Sequence, residues 1–208
     1  MQKLVLLIRA ATKEKDKLSF DKCLDLQHEN PVLREKLQAL TEVQNVARHP
    51  ALLTEVTRVW PNSIRVVGSP HPIGRYTCLM HVFDFAEKPE YIAIAGGGSR
   101  RVFAGANFAQ WLIERGLLIA VSRAAAQEGE TLFYFREGKF KHAGLWRRNR
   151  RVLSKWGVGH LYDHGLFEVP MSYGTDISFY KRQSYKDVFE LFRQFAEEEG
   201  TPAGILAP

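Results

Sequence analysis

The sequence predicts an α+β fold in which helices come first, an antiparallel sheet follows and one helix closes the chain. Three observations predict it. Residues 1 to about 65 read as helical, with apolar residues recurring every three or four positions. After Gly129 the pattern shifts to short aromatic and branched runs, "TLFYF", "FKHAGLW", "RVLSKWG" and "DISFYKR". The segment "SYKDVFELFRQFAEEEG" then restores the helical period. A chain of 208 residues suits one sizeable core or one domain with a helical appendage. The division expected is residues 1–65 as a helical region and 66–208 as the main domain.

Each element has a local reason. "MQKLVLLIRAATKEKDKLSFDKCLDL" reads as a first helix, with Cys23 packed beside Leu24 and Leu26. In "NPVLREKLQALTEVQNVARHP", Asn30 is a candidate N-cap and Pro31 suits the first helical position. Leu33, Leu37, Leu40, Val43 and Val46 give that helix one apolar face. His49-Pro50 ends it, and "ALLTEVTRVW" forms another short helix. "PNSIRVVGSPHPIGRYT" is an extended connection rich in Pro and Gly. From Thr77, "CLMHVFDFAE" is expected to be a helix, with Leu79, Val82, Phe83 and Ala86 inward and Pro89 as its stop.

"AIAGGGSRRVFAG" reads as a loop, and it lacks both phosphate-loop and dinucleotide-binding glycine spacing. "ANFAQWLIERG" is a helix closed by Gly116. "REGK" and "RRN" are hairpin loops between the first three strands. Asp163 and His164 read as a turn. In the last helix, Ser184 and Asp187 have capping-box spacing, and Val188, Leu191, Phe192 and Phe195 form the buried stripe.

Composition excludes several classes. Hydrophobic content of 45% and charged content of 25% are those of an ordinary globular chain. No apolar run is long enough to span a bilayer. The N-terminus lacks the long apolar region of a secretory signal, so synthesis in the cytoplasm is expected, with export by a dedicated system or phage release left open. Two cysteines make no disulfide scaffold, and the seven histidines show no zinc-ligand spacing. No metal or cofactor is expected. The net charge of +6 gathers in "REGKFKHAGLWRRNRRVLSK", a patch that reads first as a solvated hairpin tip. Nucleic acid is therefore not the expected partner.

Cys78 carries the chemistry. A nucleophilic cysteine needs a lowered pKa, a proton acceptor and N–H donors for an oxyanion. A position in the first turn of a helix supplies partial positive charge and unused N–H groups. His142 is the best acceptor in the chain. In a regular strand Phe140, His142, Gly144 and Trp146 share one face, while Lys141, Ala143 and Leu145 share the other. His81, three residues after Cys78, reads as a supporting or structural residue.

The ordered set of Cys78, Gly129-Glu130-Thr131-Leu132 and His142-Ala143-Gly144-Leu145-Trp146, followed by a hairpin, resembles the NlpC-type papain-like cysteine peptidases and amidases and their CHAP-like relatives. The resemblance covers about residues 70–182. It implies a papain-like core, with Cys78 as nucleophile and His142 as general base and acid. The position that orients the imidazole falls on Ser154, where the family commonly has His, Asn or Gln. His160 and His164 are the alternatives. Lys155, next to Ser154, was set aside because an ammonium cannot accept a hydrogen bond. Tyr76, Trp146 and Trp156 are the candidate substrate-binding residues.

The implied reaction is cleavage of an amide or peptide bond, of peptidoglycan or isopeptide type. A lysin, a secreted toxin and an intracellular peptidase are all compatible settings. The N-terminal helices would dock a protein partner or cover the cleft. The competing readings are a non-catalytic binding module on the same fold, an acyltransferase using the same Cys–His pair, and nucleic-acid binding through "RRNRR".

Overall fold

The structure is a computed structural model and describes residues 30–97 and 102–199. The helix expected before residue 27, the packing of Cys23, part of the "GGGSRR" loop and the Gly200–Pro202 stop lie outside the described residues.

The first helix, α1 (Pro31–Glu42), begins where its cap requires: Asn30 Oδ1 accepts the Leu33 N–H at 3.0 Å. It ends at Glu42, short of Val46, and α2 (His49–Val59) takes His49-Pro50 as its own first turn. A seven-stranded antiparallel sheet forms the centre. Its strands are β1 (Arg65–Val67), β2 (Ala120–Val121), β3 (Thr131–Arg136), β4 (Lys139–Arg147), β5 (Arg151–Lys155), β6 (Leu161–Gly165) and β7 (Asp176–Tyr180). Their spatial order is β1-β6-β5-β4-β3-β7-β2. Four further helices are α3 (Cys78–Val82), α4 (Pro89–Gly97), α5 (Ala106–Glu114) and α6 (Tyr185–Glu198).

The sheet divides the interior in two. On one face Phe133, Ala143 and Leu145 pack with Leu79, Phe108 and Phe192 of α3, α5 and α6. On the other, Tyr134, Trp146 and Tyr162 pack with Leu33, Leu37 and Leu53 of α1 and α2. Fully burying one such side chain contributes about 1.5–3 kcal/mol. The apolar stripe of α1 is therefore spent on the sheet, so the N-terminal helices share the core of the strands instead of offering that stripe to a partner.

Three local readings need correction. Residues 161–165 form a strand, not a turn, because Asp163 is tied to Arg151 across the β5–β6 ladder, with the Arg151 Nη2–Asp163 O bond at 2.8 Å. "AIAGG" is helical as the end of α4, which starts at Pro89 in its first turn. Helix α3 stops at Val82: Asp84 has φ +58°, and the Phe85 N–H reaches back to the Met80 carbonyl at 2.9 Å, a left-handed C-terminal stop. Leu79, Val82, Phe83 and Ala86 are still buried. The last helix is as expected, with Ser184 Oγ accepting the Asp187 N–H at 3.2 Å. No helix among the described residues is long and apolar enough to cross a membrane.

Candidate active site

Thr77 sets the position of Cys78. Its hydroxyl oxygen accepts the Met80 N–H at 3.3 Å and donates to the Ala104 carbonyl at 3.4 Å, so it caps α3 and ties it to the chain before α5. Cys78 is then the first residue of α3, half-buried, with Leu79 and Val82 sunk into the core behind it. Helix α3 has only five residues, so its macrodipole is small. Burial pushes the Cys78 thiol up. The N–H of Ala143 on β4, the N–H groups of Leu79 and Cys78 and the charge of Lys155 act against that rise.

His142 does not join Cys78. A bulge between β3 and β4 sets Phe140 against Phe135 and His142 against Tyr134, leaving Lys141 as the extra residue. Phe140 therefore faces the Cys78 side with Ala143, and His142 faces the other side. There its ring stacks on Tyr173 at 3.9 Å and lies 5.7 Å from Tyr134. His142 is buried, its Nε2 has no hydrogen-bond partner among the described residues, and burial pushes its pKa well below the usual imidazole range.

The residues expected to orient His142 have other partners. Ser154 Oγ lies 2.7 Å from His164 Nε2 and accepts the Trp156 indole N–H at 3.0 Å. His164 Nδ1 donates to the Gly165 carbonyl at 2.8 Å, so its Nε2 accepts the Ser154 hydroxyl proton. Burial holds His164 down to about 4. His160 Nε2 bonds the Val46 carbonyl at 3.0 Å, far along the chain from either strand. Trp146 and Trp156 are buried in the second core, against Phe179 and Tyr162, and are closed to substrate.

Tyr76 alone of the three proposed binding residues borders a groove. About 380 Å³ in volume, the groove is lined by Tyr76, Thr77, Met80, Ile92, Phe103 and Val158, with Arg75 its one charged lining residue among the described residues. Ile92, Phe103 and Val158 are 52%, 51% and 62% exposed, so the groove opens to solvent with apolar walls. Thr77 and Val158 place it between the start of α3 and the end of β5.

Lys155 completes this end of the sheet. It is wholly buried, and its Nζ donates to the Gly159 carbonyl at 2.5 Å and the Gly157 carbonyl at 3.2 Å. The same Nζ sits 4.8 Å from the Tyr76 ring centroid. A signal for it was present in the sequence: it alternates with Ser154, so it faces the Cys78 side when Ser154 faces the other. At the opposite end of β4 the basic tip is partly neutralised, since Glu128 pairs with Arg148 at 2.6 Å and Arg147 at 3.5 Å. Among the described residues no group of three His, Cys, Asp or Glu side chains could hold a metal ion. Comparison with family models, curated proteins and solved structures returns no match.

Proposed function

We propose that this protein is a cysteine-dependent hydrolase of an amide or peptide bond, built on a papain-like core, with Cys78 as the nucleophile. The carrying observation is the setting of Cys78. Cys78 is half-buried at the start of α3, the Ala143 N–H faces its thiol, the Lys155 charge acts on it, and the neighbouring Tyr76 and Thr77 line an open apolar groove. The thiolate attacks the carbonyl carbon, the Cys78 N–H helps hold the oxyanion, and water later releases the acyl group from sulfur. The groove favours a peptide or isopeptide with a bulky apolar side chain beside the scissile bond.

A peptidyl chloromethyl ketone carrying leucine or phenylalanine tests this reading. It is expected to alkylate Cys78 at least about tenfold faster than Cys23, and faster than a probe carrying glutamate. Equal, slow labelling of both cysteines would overturn it. The second reading, a non-catalytic binding module, is favoured by one observation: His142 lies across the sheet from the thiol. Specific binding of an apolar peptide with no labelling and no hydrolysis would establish that reading instead.

A further inference from the structure

We propose that Lys155 is the proton acceptor for the Cys78 thiol, the role that residue order alone assigns to His142. This rests on the reading of Cys78 as a nucleophile and adds the second half of the pair.

Strand register makes the first part of the case. Strands β4 and β5 pair Leu145 with Leu153. They stay close beyond that pair, since a Cβ placed on Gly144 would meet Ser154 Cβ at 3.0 Å. One further step sets Ala143 beside Lys155 on the sheet face that carries α3. The Ala143 N–H faces the Cys78 sulfur, and the Tyr76 ring under Lys155 belongs to the residue two before Cys78. The amine and the thiol thus lie on the same face of the sheet, one from the strand and one from the helix.

The state of the amine makes the second part. Among the described residues no carboxylate pairs with Lys155, although it is wholly buried. Two carbonyls accept its hydrogens, and in the neutral amine these are its two N–H groups, which leaves the lone pair to take the thiol proton. A buried ammonium without a counter-ion is costly, and that cost favours the neutral amine. Burial accordingly pushes Lys155 down to about 8, while Cys78 pulls it back up. The other titratable groups near the pair are Tyr76 and His81, and Cys78 also acts on Tyr173 of the opposite face. Burial and the Arg182 charge hold His81 down to about 4, leaving it uncharged at neutral pH, and burial pushes Tyr173 up. Arg182, His71, Asp84 and Lys155 act on His81.

The proton balance closes without another group. The neutral Lys155 amine takes the thiol proton, giving thiolate and ammonium. The thiolate adds to the amide carbonyl, and the ammonium returns its proton to the leaving nitrogen as the C–N bond breaks. In the second half the amine takes a proton from water, hydroxide adds to the thioester, the C–S bond breaks, the acid departs, and the ammonium returns its proton to the Cys78 sulfur, which restores amine and thiol.

The test is the pH dependence of iodoacetamide alkylation at Cys78, read by mass spectrometry in the full chain, beside Lys155→Met and Lys155→Arg. The native rate is expected to rise through a midpoint near ~8. In Lys155→Met the midpoint should climb by about one unit or more, with the rate near neutral pH falling about tenfold. Lys155→Arg puts a fixed cation there that cannot act as a base, so it should hold the thiolate and keep alkylation while peptide hydrolysis is lost. A Lys155→Met profile that coincides with the native one would overturn the assignment, with Cys78 still a nucleophile. Native Cys78 reacting no faster than Cys23 at any pH would remove the nucleophile reading itself. Should Lys155→Met not fold, the ultraviolet thiolate absorbance of native protein against Cys78→Ser decides. One simple step at an ordinary thiol pKa would refute the coupling.

Discussion

The two faces of the sheet hold the same kinds of side chain in opposite conditions. Under α3, Cys78 and Lys155 lie on one face near Tyr76 and Thr77, which line an open groove, and the lysine has no counter-ion among the described residues. Under α1, the polar groups His142, Ser154, His164 and Tyr173 are enclosed by Trp156, Tyr162 and the loop that Arg34 clamps through the Gly174 carbonyl at 2.6 Å. The difference teaches that polar residues on a strand are sorted by access and not by reactivity. His142 and His164, usual proton carriers by type, are buried on the enclosed face, and Lys155 lies on the face that carries Cys78.

The largest expected effect probes the enclosed face. Gly174 has φ +84°, and a Cβ there would sit 1.9 Å from the Phe135 carbonyl oxygen. Gly174→Ala should cost about 3 kcal/mol or more in urea denaturation, because neither backbone can yield cheaply. A loss under about 1 kcal/mol would show that the clamp is looser than described.

The next effect is a pH dependence. His164 is held down to about 4 in the fold, against about 6.5 in an unfolded chain. Its folded pKa is depressed, so the unfolded state binds the proton first. Stability is complete above about 6.5 and declines as the pH falls toward about 4. Between about pH 7 and pH 5 the loss from His164 should be on the order of 2 kcal/mol, and His164→Gln should flatten the profile. An unchanged slope in that variant would place the titration elsewhere.

The smallest effect belongs to the surface. Glu128→Ala breaks ion pairs with Arg147 and Arg148, which are about half or more exposed. It should change stability by less than about 0.5 kcal/mol and leave Cys78 alkylation unchanged. A larger shift would mean that the basic tip communicates with the groove.

Much of the fold was legible where local chemistry decides it. Asn30 and Ser184 cap their helices as read, and the "REGK" turn places Glu137 and Gly138 at positive φ. Strand β6 was hidden because Asp163 and Gly165 favour turns, and pairing with β5 and β1 extends them. Strands β1 and β2 are three and two residues long, too short for a period. The candidate site was half legible. Cys78 at a helix start follows from Thr77 and the apolar run after it. The side that each β4 residue faces was not legible: the bulge at Lys141 puts Phe140 on the α3 side, while His142 shares with Trp146 the side that packs under α1. A single extra residue is invisible in the pattern until the partner strand supplies the register.

The separation of the two faces is measured most directly in His142→Ala. The alkylation rate of Cys78 is compared with native protein near neutral pH, under conditions where circular dichroism shows both folded. The variant should lose about 2–3 kcal/mol of stability from the cavity beside Tyr173. Its folded state should alkylate within about twofold of the native rate, since the imidazole lies across the strand from the thiol. A fall of about tenfold or more in folded His142→Ala would contradict this, and would restore the histidine as the partner of Cys78.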